Sequence, residues 1–142
     1  FDPEISHVIP ALIRRTLEAE GKLEVWGSGK QTRSFMFVRD GATALLAMGE
    51  QYANADPVNL GTREEGTIEE LANLIIEATG RDVQLQLDPS GPEGQPRKAA
   101  DVSKAEKVLD WKPTCGLKDG LKQTVDWYVQ DVAAMGSAAP ST

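Results

Sequence analysis

Thr67-Ile68-Glu69-Glu70 has the spacing at which a helix caps itself. The threonine hydroxyl takes the amide three residues on, and the glutamate reaches back to the threonine amide. Ile68, Leu71, Leu74, Ile75 and Ala78 then recur at helical intervals, and Gly80 supplies the stop. Directly afterwards Val83, Leu85 and Leu87 alternate with Gln84 and Gln86, the pattern of a strand with one buried face. A capped helix running into an amphipathic strand commits this part of the chain to a mixed helix–sheet fold.

The remaining stretches read in the same way. Residues 6–20 form a predicted helix, capped by Ser6, with Pro10 in its tolerated first turn and Ile9, Leu12, Ile13 and Leu17 as its apolar stripe. Gly21 ends it. Asp40 is placed to cap a second helix that reaches about Ala53. Pro57-Val58-Asn59-Leu60-Gly61 reads as a short strand. Three prolines and two glycines between Asp88 and Ala100 indicate a loop without regular structure. A loop of that length inside a domain is usually functional or disordered. Ser103 to Glu106 repeats the capping-box spacing and opens a short helix to Leu109, and a last helix runs from about Leu117 to Ala134. The order αβ(β)αβαβαα gives an α/β (α+β) domain with a small sheet over residues 1–135, followed by a polar, disordered tail over 136–142.

A chain of 142 residues suits one such domain, and its 40% apolar content is that of a globular protein. The formal charge of −7 argues against a nucleic-acid partner but not against a small anion held by local arginines. A single cysteine, Cys115, leaves no internal disulfide and no cysteine-based metal site, and fits a cytoplasmic setting. No apolar run approaches the ~20 residues of a membrane span. The chain opens on Phe1, which reads as a processed piece or a fragment.

The stretch with most chemical content is 23–38. Apolar runs at Leu23–Trp26 and Phe35–Val38 flank a turn built on Gly27 and Gly29, with Arg33 on its far side. Read as a site, Trp26 offers a stacking face, the glycines let a ligand approach the backbone, and Arg33 forks onto phosphate oxygens, so the ligand would be a nucleotide diphosphate. Read as plain structure, it is a hairpin with Trp26 in the core. Two sharper motifs fail. The P-loop needs a glycine where Glu24 stands and a Ser or Thr where Gln31 stands. The dinucleotide turn needs a glycine where Thr32 stands and a helix where a strand follows. Arg14, Arg15, Asp126 and Asp131 read as solvated charges, Trp111 as core, and His7 as a capping or packing residue. Arg97 and Lys98, at the end of the long loop, read either as anion contacts or as a solvated pair.

These motifs, in this order, resemble the C-terminal lobe of the extended short-chain dehydrogenase/reductase family, and within it the sugar-nucleotide epimerases, dehydratases and reductases. Ser6 through Arg15 and Val25 through Gly29 look like the GDP-fucose synthase branch. Trp26-Gly27, Gln31 through Phe35 and Gly91-Pro92-Glu93-Gly94 look more like the GDP-mannose 3,5-epimerase branch. The resemblance implies that the lobe binds the nucleotide half of a GDP-, UDP- or dTDP-linked sugar, while a preceding Rossmann domain binds NAD or NADP. It places Trp26 on the base or ribose, Gln31 and Arg33 on the nucleotide and diphosphate, and Arg15 and Arg97 near phosphates. Asp101 falls on the ribose, and His7 near the cofactor.

The same family does its chemistry with a Tyr-x-x-x-Lys pair, the tyrosine acting as acid and base. Tyr52 is followed four residues later by Asp56, and Tyr128 by Val132, so neither supplies it. The expectation is therefore a lobe with no catalytic or metal-binding residue of its own, active only with a Rossmann domain in cis or in trans. Two arginines and a stacked indole would contribute about 5–7 kcal/mol, against roughly 4 kcal/mol or more for association, which leaves affinity weaker than about millimolar. The alternative is a free-standing, non-catalytic module that binds or self-assembles. Either way, an apolar surface that normally meets a Rossmann domain would lie open, and a homo-oligomer is expected.

Overall fold

In the computed structural model, which describes residues 6–132, strands β1 (Lys22–Trp26) and β4 (Gln84–Asp88) lie side by side in parallel, from Lys22 opposite Gln84 to Trp26 opposite Asp88. Parallel strands need a long crossover. Here it contains α2 (Val38–Gln51) and α3 (Ile68–Thr79). One face of the pair meets α1 (Val8–Glu18), α3 and α5 (Leu117–Trp127). Leu12, Ile13, Leu23, Val25, Leu71, Ala72, Ile75, Leu121 and Val125 form the buried cluster between them. Burying each of its larger side chains contributes about 1.5–3 kcal/mol.

A second, smaller sheet has the order β3-β2-β5, from Gly66–Thr67, Thr32–Arg33 and Arg97–Lys98. Strand β2 runs antiparallel to β3 and parallel to β5. The expected α/β architecture is therefore present, as two small sheets instead of one. The expected hairpin at 23–38 is absent: β1 and β2 belong to different sheets, and residues 34–37 form no strand. The turn's backbone finds partners elsewhere. Gly27 N donates to Asp88 O at 2.7 Å, Glu69 N to Gly29 O at 3.0 Å, and Thr32 N to Pro96 O at 2.8 Å. The glycine turn links the two sheets.

The capping box on Thr67 and Glu70 is formed in full, and Gly80 closes α3 in the left-handed conformation. Three other expected caps are corrected. Ser6 does not cap α1; His7 holds that place and makes no side-chain cap. Asp40 lies inside the first turn of α2, behind Phe37 as N-cap. Ser103 is the first residue of α4 (Ser103–Leu109), its amide bonded to Asp101 at 3.0 Å, and Glu106 is engaged by Arg63 at 2.7 and 2.8 Å. Cap spacing is a local signal: Asp40 and Glu106 have distant partners instead, Ser103 bonds to Asp101, and the Ser6 hydroxyl has no hydrogen-bond partner among the described residues.

Residues 57–61 have strand composition but form no strand, for no ladder partner lies beside them among the described residues. The 88–100 segment is not wholly irregular, since β5 forms within it. The last helix ends at Trp127 and passes into one π turn, Tyr128–Val132. Its expected extension to Ala134, and the 136–142 tail, lie outside the described residues.

Candidate functional site

Strand alternation decides which side chains of the small sheet share a face. Thr32 pairs with Arg97, and Arg33 with Lys98. Thr32 and Arg97 both turn toward Glu65: Arg97 grips its carboxylate at 2.6 and 2.9 Å, and the Thr32 hydroxyl donates to it at 3.4 Å. Arg33 and Lys98 line the other side, a cleft of about 720 Å³ whose wall also includes His7, Ser34 and Thr62. Among the described residues that line it there is no aspartate or glutamate. Arg33 Nη1 is held by the Thr32 and Gln95 carbonyls at 2.7 and 2.8 Å, so the guanidinium is positioned before any ligand arrives. This preorganised cation, with Lys98 beside it and no carboxylate opposite, suits an anion.

The structure thus brings together Arg33 and His7, two of the residues singled out from the sequence, and adds Lys98. It sets Arg97 on the opposite face, its pKa raised by the hydrogen bonds and charge of Glu65. Lys98 was legible as half of a basic pair. What decides between the two members is the register of a two-residue strand, and no periodicity reveals that.

Trp26, at the end of β1, is 61% exposed, and its indole N–H donates to Glu24 Oε1 at 3.2 Å. The core placement of Trp26 is overturned. Gln31 is only 7% exposed, with Oε1 lacking a hydrogen-bond partner among the described residues. Its Nε2 stands close against Gly27, where φ is +92° and an added Cβ would lie 2.8 Å from it. Arg15 is exposed and donates to the Glu24 carbonyl, so it braces β1 two residues before the indole. Asp101 is exposed and outside the cleft wall; its carboxylate accepts the Ser103 hydroxyl and N–H, which hold its pKa low.

The 88–96 segment folds back over the glycine turn. Asp88 Oδ1 takes both the Ser90 N–H and hydroxyl, at 3.0 and 2.6 Å. Gly91 packs on Trp26, Glu93 accepts the Ser28 N–H, and Gly94 abuts the Arg33 guanidinium. The Ser28 hydrogen bonds and, to a smaller extent, Lys30 hold the Glu93 carboxyl below its usual range.

The turn itself does not fit a dinucleotide. It leads into β2 instead of a helix, and the first amides of α3 beside it, Ile68 and Glu69, are taken by the Gln31 and Gly29 carbonyls and not left for a pyrophosphate. Tyr52 and Lys104 do meet in space, the ammonium 5.6 Å from the ring centroid. Lys104 is tied to Asp56 at 2.5 Å and to the Pro57 carbonyl at 2.7 Å, which makes the group a clasp between α4 and the end of α2. No group of three metal-ligating side chains occurs among the described residues, and no helix there is long and apolar enough to cross a membrane.

Residues 1–61 match the NAD dependent epimerase/dehydratase family. Over 136 residues, 93% of its length, the chain is 44% identical to the probable GDP-L-fucose synthase 1 of Oryza sativa subsp. japonica and covers 41% of that protein. Among solved structures, the NADP-bound GDP-L-fucose synthetase of Naegleria fowleri superposes with a TM-score of 0.86 at 27% identity, over 94% of this chain and 43% of that one. The UDP-glucose 4-epimerase of Thermotoga maritima, solved with UDP-glucose, gives 0.80 at 28% identity over 92% and 42%. The chain spans about two fifths of the length of the relatives it matches. On sequence and fold together, it resembles part of a member of the NAD-dependent epimerase/dehydratase family of extended short-chain dehydrogenases/reductases.

Proposed function

We propose that this chain is the nucleotide-sugar-binding lobe of an NAD(P)-dependent sugar-nucleotide epimerase, dehydratase or reductase. The observation that carries the reading is the cleft in which Arg33, Lys98 and His7 converge without a carboxylate among the described lining residues. In such a cleft the Arg33 fork and the Lys98 ammonium hold the diphosphate. The exposed Trp26 face takes the base or ribose, and the open acceptor on Gln31 receives a donor from the nucleotide. Arg97 would reach a phosphate only by leaving Glu65. Asp101 and Arg15 act through the backbone that they brace.

Hydride transfer and proton transfer belong, in this reading, to a Rossmann domain joined in cis or in trans, with NAD or NADP bound there. GDP-linked sugars are the favoured ligands, because the reported sequence relative is a GDP-L-fucose synthase; the UDP-glucose complex keeps UDP-sugars in the comparison. Calorimetry with GDP- and UDP-sugars, on this chain and on Arg33→Ala, tests the reading. Heat lost in the variant supports it, whereas identical heats for the two proteins count against an arginine clamp.

One observation favours a second role, self-assembly. Val38, Leu45 and Leu46 expose 76%, 64% and 68% of their surface along α2, and Phe37, Val38 and Trp127 line a groove of about 540 Å³. Faces of this kind are covered in a complete particle. In the lobe alone, a second copy takes the place of the Rossmann domain.

A further inference from the structure

The ground between Trp26 and Arg33 is not empty. The 91–95 segment crosses it, fastened at three points. At one end Gly91 lies so close to Trp26 that a Cβ there would sit 2.7 Å from the tryptophan Cβ. At the other end the Gln95 carbonyl accepts from Arg33 Nη1 at 2.8 Å, and a Cβ on Gly94 would stand 3.2 Å from Arg33 Nη2. Between them, the Glu93 carboxylate holds the Ser28 N–H of the glycine turn. A Cβ on Gly27 would meet Glu93 Cγ at 3.0 Å, so the turn is bare where the carboxylate comes down. A backbone amide flanked by glycines, with Lys30 nearby, is a seat for an anion, and here the chain fills it with an anion of its own.

We propose that residues 91–95 form an autoinhibitory strap, in which the Glu93 carboxylate occupies the anion seat of the glycine turn and must leave before a nucleoside diphosphate can span Trp26 and Arg33. The inference rests on the reading of this region as a nucleotide-diphosphate site. The strap and the ligand compete for Ser28 N–H and for the space beside the indole. Apparent affinity is therefore the intrinsic affinity scaled by the fraction of molecules in which the strap is open. Nothing covalent changes: one carboxylate–amide hydrogen bond is exchanged for one phosphate–amide hydrogen bond.

Two variants release the strap at different points. Glu93→Gln removes the charge and keeps the shape. Gly91→Ala keeps the Glu93 carboxylate but forces the segment off Trp26, which draws that carboxylate away from Ser28. GDP serves as the probe, by calorimetry, and amide exchange at Ser28 is followed by NMR without ligand. Thermal melts confirm that the variants fold. The expected result is faster Ser28 exchange and about tenfold tighter GDP binding in both variants, the size set by one lost hydrogen bond to a charged group. Equal or weaker GDP binding in both variants, with wild type binding measurably, shows that the strap is a wall of the site and overturns the inference. Unchanged Ser28 exchange in Glu93→Gln overturns it as well. Absence of GDP binding in all three proteins sinks the nucleotide reading, and the strap's role with it.

Discussion

Asp40, in the first turn of α2, accepts the backbone N–H of Cys115 at 2.9 Å through one carboxylate oxygen and the Thr114 hydroxyl at 2.9 Å through the other. It is 4% exposed and ties α2 to the loop that leads into α5. Burial alone would raise its pKa, but the hydrogen bonds from Cys115 and Thr114 outweigh it and hold the carboxyl below its ordinary value. A depressed carboxylate stabilises the fold above its unfolded pKa, and that contribution is lost as pH falls through the folded one. The melting temperature is therefore expected to hold from neutral pH down to about 5 and to fall in more acid solution, with Asp40 contributing to the fall. Asp40→Ala, which leaves the Cys115 amide without its partner, should lose about 2 kcal/mol or more at neutral pH and flatten the acid limb. Urea unfolding at pH 7 and at pH 4 measures both effects.

Thr67 supplies a second, local test. Its hydroxyl accepts the Glu70 N–H at 3.0 Å, and the Glu70 carboxylate accepts the Thr67 N–H at 2.7 Å. Thr67→Ala should cost about 1 kcal/mol in chemical denaturation, the usual size for a lost N-cap. Thr67→Ser should restore nearly all of it. A null effect would show that packing of Leu71 and Ile75, not the cap, fixes where α3 begins.

The contrast between these two residues shows what a sequence can disclose. The box on Thr67 spans three residues, so its signature is written in the local spacing. Asp40 is equally polar and also stands at a helix start, but its partners lie at Thr114 and Cys115, and local spacing suggested a cap that the chain does not make. The pairing of β1 with β4 is hidden in the same way. Leu23 and Val25 announce a strand, but nothing near them names residues 84–88 as the partner. Trp26 and Arg33 stand out as candidates by type and by their glycine neighbours. Lys98 was not separable from Arg97, because a face is assigned only once Thr32 and Arg33 have been placed in register beside them.

Gly29 makes the linkage between the sheets sterically demanding. Its φ is +73°, and a Cβ there would meet Glu69 Cβ at 3.0 Å and both Leu87 methyls at 3.1 Å. Gly29→Ala combines left-handed strain of roughly 1–2 kcal/mol with a backbone shift at the start of α3. The expected outcome is a lowered denaturation midpoint together with weakened nucleotide binding, since the same turn positions Trp26 and Arg33. Loss of stability without loss of binding would separate the turn from the site.

Lys98 and Arg97 give a direct test of the cleft. Lys98→Ala is expected to weaken GDP-sugar binding about tenfold, the scale of one charge-assisted contact. Arg97→Ala should change it little while Glu65 remains its partner. Reversal of that order would mean that Arg97 exchanges Glu65 for phosphate on binding. Glu65→Gln would then tighten binding by releasing it. Calorimetry on the three variants decides between the two arrangements.

The α2 face predicts the behaviour of the lobe in solution. Val38, Leu45 and Leu46 present apolar surface to solvent, and in the reading proposed above that surface meets a second domain or a second copy of the chain. Withdrawing one leucine side chain from water contributes about 1.5–3 kcal/mol, and a symmetric dimer withdraws each side chain twice. Light scattering should therefore show association that grows with concentration, and a hydrophobic dye should bind to the dilute protein. Leu46→Glu places a charge on that face and should return the lobe to a monomer without lowering its melting temperature, because Leu46 contributes little to the core. Supplying a Rossmann domain from a relative in trans should compete with self-association in the wild type and should not bind Leu46→Glu. A wild-type chain that stays monomeric at high concentration and binds no dye would refute the open face altogether.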